Sequence, residues 1–131
     1  MEQAGKQVLH VSGPERLSYD RALAVQMELL ERCRTGGGQE NFLMLVEHPP
    51  VFTQGRNGRP EHLINITGIP VVETDRGGQV TYHGPGQSVA YPLLDLRRFG
   101  WGVRQYVDTL EQAVIDLLGS YGLTGVRKEG A

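Results

Sequence analysis

Residues 41–48, NFLMLVEH, form a nearly continuous apolar run, closed by glycines at 36–38 on one side and by Pro49 and Pro50 on the other. A half-exposed strand alternates apolar and polar residues. This run does not, so it reads as a strand buried within the protein rather than lying on its surface. Such a strand needs material on both faces, which restricts the chain to a layered architecture.

The flanking segments supply candidate layers. Residues 7–13, QVLHVSG, alternate and are β-branched, and read as an opening strand. The period then changes over SYDRALAVQMELLERCRTGGG, where Tyr19, Leu23, Met27 and Leu30 recur at helical spacing and Ala22, Val25 and Cys33 widen the apolar face. Ser18 is suited to cap this helix, and the glycines at 36–38 to stop it. The turn-rich PPVFTQGRNGRPEH is expected to wrap the surface before a short HLIN segment.

IPVVET (69–74) and SVAYPLLDL (88–96) read as further strands, with Pro92 marking the second as an edge strand or a bulge. Residues 102–122 make the clearest helix. Val103, Tyr106, Val107, Leu110, Val114, Leu117, Leu118 and Tyr121 mark an apolar face expected to lie in the core, and Gly122 follows as its cap. The closing GLTGVRKEGA begins like another strand. Strand, helix, several strands, helix describes an α/β domain: a mixed or antiparallel sheet with helices packed on it, in one domain over residues 1–131.

Composition narrows the function. The net charge is −2 with acids and bases interspersed, which argues against a general nucleic-acid or anionic-membrane surface. There is no transmembrane run and no signal-peptide pattern at the start, so the chain reads as cytoplasmic. The single cysteine, Cys33, cannot form an intramolecular disulfide and fits a reducing compartment. His10, His48, His62 and His83 lack ligand spacing, so no metal site is expected, and neither the Walker nor the dinucleotide glycine pattern is present.

The candidate site is DRGGQVTYHGPGQ, residues 75–87. Gly77 and Gly78 allow backbone N–H groups to approach a ligand closely, beside the cation of Arg76. Gly84-Pro85-Gly86 would form a rigid turn placing His83 and Gln87 on either side. Together these supply a flat floor, a cation, an imidazole and an amide, suited to a thioester, carboxylate or phosphate beside an extended chain. A plain hairpin, GGQVTYHGPG, with an exposed histidine is the competing reading.

VEHPPVFTQGR (46–56) followed by IPVVETDRGGQVTYHGPGQSVAYPLLDL (69–96) resembles the lipoyl(octanoyl)transferase family, and the likeness runs from the first helix through the last. The resemblance implies the α/β fold of biotin and lipoate protein ligases, with no cofactor. It implies transfer of an octanoyl group from octanoyl-acyl carrier protein to a lysine on lipoyl domains of 2-oxoacid dehydrogenases and the glycine cleavage system. It further implies that Arg76, Gly77, Gly78, Gln79, Val80, Thr81, Tyr82 and His83 line the acyl-substrate pocket.

The family's nucleophilic cysteine and activating lysine lie downstream of the last helix, so the resemblance implies no catalytic residue within 1–131 and a domain represented by its N-terminal portion. Cys33 reads as a small core cysteine rather than an acyl acceptor, and Lys128 as a solvent-exposed residue. His48, at the exit of the buried strand, reads as structural, and His83 as a positioning group rather than a general base. Two alternatives remain beside the transferase: a non-catalytic module or half of a split enzyme that binds acyl carrier protein or lipoyl domains, and a lipoate-protein ligase relative that uses ATP.

Overall fold

The computed structural model describes residues 7–37, 39–64 and 68–129. It contains two compact units, Met1–Leu94 and Asp95–Ala131. The first holds strands β1 (Val8–Arg16), β2 (Glu40–Glu47), β3 (Val51–Gln54), β4 (Val71–Glu73), β5 (Val80–His83) and β6 (Val89–Leu93), with helix α1 (Tyr19–Thr35). The second holds α2 (Leu96–Phe99) and α3 (Val103–Ser120).

The expected sheet is in fact two, each with three strands: β1-β2-β6 and β4-β3-β5. Both are mixed. β2 runs parallel to β1 and antiparallel to β6, and β3 runs parallel to β4 and antiparallel to β5. The apolar run is β2, the central strand of the first sheet, as its composition demands. Phe42, Met44 and Val46 are buried, while Leu43 and Leu45 on the other face are only half-buried. Pro92 sits opposite Leu43 in β6, an edge strand, where its missing N–H disrupts no ladder.

α1 packs on β2 and β6. Ser18 caps it as expected, its hydroxyl oxygen accepting from the Arg21 N–H at 3.2 Å, and Gly36 closes it; Gly38 lies outside the described residues. The core stripe differs from the sequence expectation. Ala22 and Cys33 are buried, Val25 and Leu29 pack against the core with Met44 and Val46, and Leu23 and Met27 face outward, 39% and 59% exposed. α1 carries apolar residues around most of its circumference, so spacing alone admitted two stripes. The one with small Ala22 won because it lets the helix approach the sheet.

Three further expectations are corrected. Val51–Gln54, assigned to a surface connection, is the central strand of the second sheet. Its four residues between Pro50 and Gly55 are too few to show a period, and only pairing on both sides makes them a strand. GLTGVRKEGA forms no strand over its described residues, 122–129; the chain turns back on α3, where Arg127 donates to Glu111, Gln112 and the Asp108 carbonyl. Of the HLIN segment, Asn65 lies outside the described residues, and His62 ends a 3-10 turn, Pro60–His62.

The third correction concerns the apolar face of α3. The helix forms and Gly122 follows its end in the left-handed conformation, with Leu123 N–H bonding the Leu118 carbonyl. Yet no α3 residue is buried: Val103 is 72% exposed, Val114 55% and Leu117 58%. Periodicity identifies the face a helix can bury, and says nothing of what covers it.

Candidate functional site

The segment 75–79 is pinned to the turn after β3 by main-chain bonds. Gly55 N–H donates to the Gln79 carbonyl at 2.8 Å, Arg56 N–H to Arg76 at 3.0 Å and Asn57 N–H to Gly78 at 3.0 Å. Gly55 must be glycine for this stitch. A Cβ there would run into the Gly78 carbonyl and lie 2.8 Å from the Arg76 guanidinium and 2.9 Å from the Gly77 carbonyl.

Arg76 strengthens the junction. Its guanidinium donates to the Thr53 carbonyl at 2.9 Å, to Thr53 Oγ1 at 2.8 Å and to the Gly77 carbonyl at 2.9 Å. Thr53 is 1% exposed, so these bonds anchor the loop to the interior. The planar fork suits three acceptors in one place. Arg76 therefore ties the loop to β3.

Beyond it, Val80 to His83 pair with β3 as strand β5, Val51 opposite His83 and Gln54 opposite Val80. The local hairpin reading fails on this point, because β5 takes its partner from residues 51–54 and not from within the segment. Gly77, Gly78, Gln79, Thr81 and Tyr82 are exposed, and Val80 and His83 half-buried. Tyr82 lays its ring against Phe52, centroids 5.3 Å apart. The Gly84–Gly86 turn acts as expected: Gln87 N–H bonds the Gly84 carbonyl, and the Gln87 side chain meets His83 Nδ1 at 3.0 Å.

His48, just past β2, is 1% exposed. Its Nδ1–H donates to the Leu17 carbonyl at 2.8 Å, and its Nε2 accepts the Tyr91 hydroxyl hydrogen at 2.7 Å. A carbonyl can only accept, which puts a proton on Nδ1, and the Nε2 of a neutral ring then accepts. Its ring lies 5.6 Å from Tyr19, 5.8 Å from His83 and 5.9 Å from Tyr91. Burial, with Tyr19 adding to it, pushes the Tyr91 phenol up to about 12. The structural role expected for His48 is the one observed. Tyr91 and Thr53 were not singled out from sequence, and Tyr19 only as a position on the apolar face of the first helix; Tyr91 was detectable only as the one polar-tipped residue in an otherwise apolar strand.

Two small notches flank these elements. One of about 130 Å³ is lined by Ser18, Tyr19, Pro49, Pro50, Pro70 and Val72 among others, and one of about 230 Å³ by Gln54, Gly55, Arg56, Gly58, Glu73 and Thr74. Cys33 lies on the core side of α1, 4% exposed. Lys128 is exposed, as expected. Among the described residues no three of His, Cys, Asp and Glu gather as metal ligands, and no helix is long and apolar enough to cross a membrane.

A pair of mixed sheets beside α1, with a glycine-arginine segment stitched to a central strand, defines an α/β domain. Residues 18–131 match the family model of the lipoyl protein ligase A/B catalytic domain, and the chain belongs to that family. More particularly, it is similar to proteins named octanoyltransferase. That of Halorhodospira halophila is 62% identical over 89 residues, 68% of this chain and 41% of the relative. That of Pseudomonas entomophila is 60% identical over 113 residues, 86% of this chain and 52% of the relative. That of Shewanella loihica is 47% identical over 124 residues, 95% of this chain and 56% of the relative. The chain thus spans about half the length of the curated relatives it matches.

Proposed function

We propose that this chain provides the acyl-substrate site of an octanoyltransferase, which moves an octanoyl group from acyl carrier protein to a lysine of a lipoyl domain. The observation that carries the reading is the high identity to proteins of that name over 68% to 95% of this chain. The two compact units are read as parts of one catalytic domain, because the family match runs across both, from residue 18 to 131. A cytoplasmic setting and lipoyl domains of 2-oxoacid dehydrogenases and the glycine cleavage system as acceptors belong to the same reading.

In it, residues 76–83 line the acyl group and its polar end. Gly77 and Gly78 leave backbone open to the thioester, and Val80 and Tyr82 offer apolar cover. Arg76 keeps the floor rigid through Thr53. His83 meets the polar end of the substrate. Covering the hydrocarbon is the main source of affinity, at about 0.8 kcal/mol per methylene. Chemically, an amine displaces the acyl group from a thioester, forming an amide and releasing the thiol. No residue of 1–131 is assigned the nucleophile's part; Cys33 is excluded by its burial.

The test is saturable binding of octanoyl-acyl carrier protein, with the mass of an apo-lipoyl domain followed in the same mixture. Preference for the octanoylated carrier over the unacylated one is expected, and Cys33→Ser should leave it unchanged. Equal affinity for both carriers would overturn the reading. The family description also covers ligases, so formation of an acyl-adenylate from octanoic acid and ATP would move the assignment to that branch.

A further inference from the structure

Gln87 and His83 are bonded in only one consistent way. The Gln87 amide reaches two groups: the Tyr82 carbonyl, 3.3 Å from its Nε2, and His83 Nδ1, 3.0 Å from its Oε1. The Tyr82 carbonyl can only accept, so the Gln87 NH₂ must face it. Turning the amide over would set two carbonyl oxygens against each other. Gln87 Oε1 is then left toward His83, and as an acceptor it requires a proton on His83 Nδ1.

The neighbouring histidine shows the same logic with a different outcome. His48 also carries its proton on Nδ1, fixed by the Leu17 carbonyl, but Tyr91 occupies its Nε2 and the ring is 1% exposed. It lies 5.8 Å from His83 in an edge-on arrangement and limits where that ring can tilt. His83 is half-buried, and among the described residues nothing hydrogen-bonds its Nε2. Of the two imidazoles brought together here, one is closed and the other presents a lone pair.

We propose that Gln87 is a positioning residue that fixes His83 as its Nδ1–H tautomer, leaving Nε2 as an acceptor for an N–H group of the ligand. The ligand class rests on the octanoyltransferase reading, in which both the carrier's amide-bearing arm and the incoming lysine amine offer such a group. The tautomer does not rest on it. A merely structural Gln87 would hold the turn without dictating which His83 nitrogen carries the proton.

The experiment reads the tautomer directly, by long-range ¹⁵N–¹H correlation of the histidine rings at a pH above the ordinary histidine range, with His83→Asn identifying the signals. In the unsubstituted protein His83 should show a protonated Nδ1 and a bare Nε2. Gln87→Leu should shift the ring toward the Nε2–H form. An Nε2–H ring in the unsubstituted protein, or no change in Gln87→Leu, overturns the proposal.

Affinities for octanoyl-acyl carrier protein and for an apo-lipoyl domain complete the test. Loss of the acceptor should weaken one of the two about five- to tenfold, the size of one hydrogen bond, and which one moves tells whose N–H is read. A switched tautomer with both affinities unchanged overturns the ligand contact. Failure of the unsubstituted protein to bind either partner counts against the octanoyltransferase reading and leaves the tautomer result standing on its own.

Discussion

Tyr91 donates its hydroxyl hydrogen to His48 Nε2 across 2.7 Å, tying edge strand β6 to the residue that ends the β2 run. Because the other imidazole nitrogen is bound to the Leu17 carbonyl, the pair also fastens the entry to α1. One buried ring thus links a helix start, a central strand and an edge strand.

Tyr91→Phe removes the donor and leaves a buried Nε2 without a partner. The expected cost is about 1–3 kcal/mol, read by chemical denaturation. An effect below a few tenths of a kcal/mol would mean that the nitrogen finds water or another donor.

The same phenol has an alkaline signature. Burial lifts it to about 12 from an ordinary value of 10.0, so the folded protein keeps a proton that the unfolded chain releases. Its contribution is whole below about pH 10 and is lost as pH rises through about 12. Denaturation curves measured between these limits should fall more steeply for the unsubstituted protein than for Tyr91→Phe; parallel curves would contradict the assignment.

Arg76→Lys keeps the charge and loses the fork. A single ammonium cannot reach Thr53 Oγ1, the Thr53 carbonyl and the Gly77 carbonyl with the same geometry. A loss of about 1–3 kcal/mol is expected, with faster hydrogen exchange at the Gly55, Arg56 and Asn57 amides that stitch the loop. Unchanged exchange at those three would show that the main-chain bonds suffice.

Helix α1 allows a direct test of which stripe faces inward. Its sheet partner Met44 is 3% exposed, and Met44→Ala should cost about 2–5 kcal/mol. Met27, on the other side of the helix, is 59% exposed, and Met27→Ala should stay within about 0.5 kcal/mol. Equal costs would place Met27 in a core.

For α3 the expectation is the absence of an effect. Val107 and Val114 are 46% and 55% exposed, and Val107→Lys with Val114→Lys should change stability by no more than about 0.5 kcal/mol each. A loss of several kcal/mol would mean that this face is covered in solution.

Local chemistry made much of this molecule legible in its residues. Ser18 caps a helix because a hydroxyl oxygen can satisfy an orphan N–H, Gly122 ends one because it accepts a positive φ, and the unbroken apolar run 42–46 had to be an interior strand. The segment 75–87 stood out for the same reason, since glycines beside an arginine and an imidazole are costly without a use. Each of these is a property of a few adjacent residues, and the tertiary structure only had to accommodate it.

Partnership between distant residues was another matter. Nothing in VFTQ reveals that it is the middle of a sheet until β4 and β5 arrive from 17 or more residues downstream. Nothing local tells whether Ala22 or Met27 faces inward on a helix apolar on several sides. Nothing near Arg76 in sequence names Thr53 as its partner; only the fold brought that hydroxyl within 2.8 Å of the guanidinium. Sequence spacing specifies what a residue is able to bond. Which of those bonds is made depends on what the fold brings within about 3 Å, because hydrogen bonds and packing decay over less than the width of one side chain.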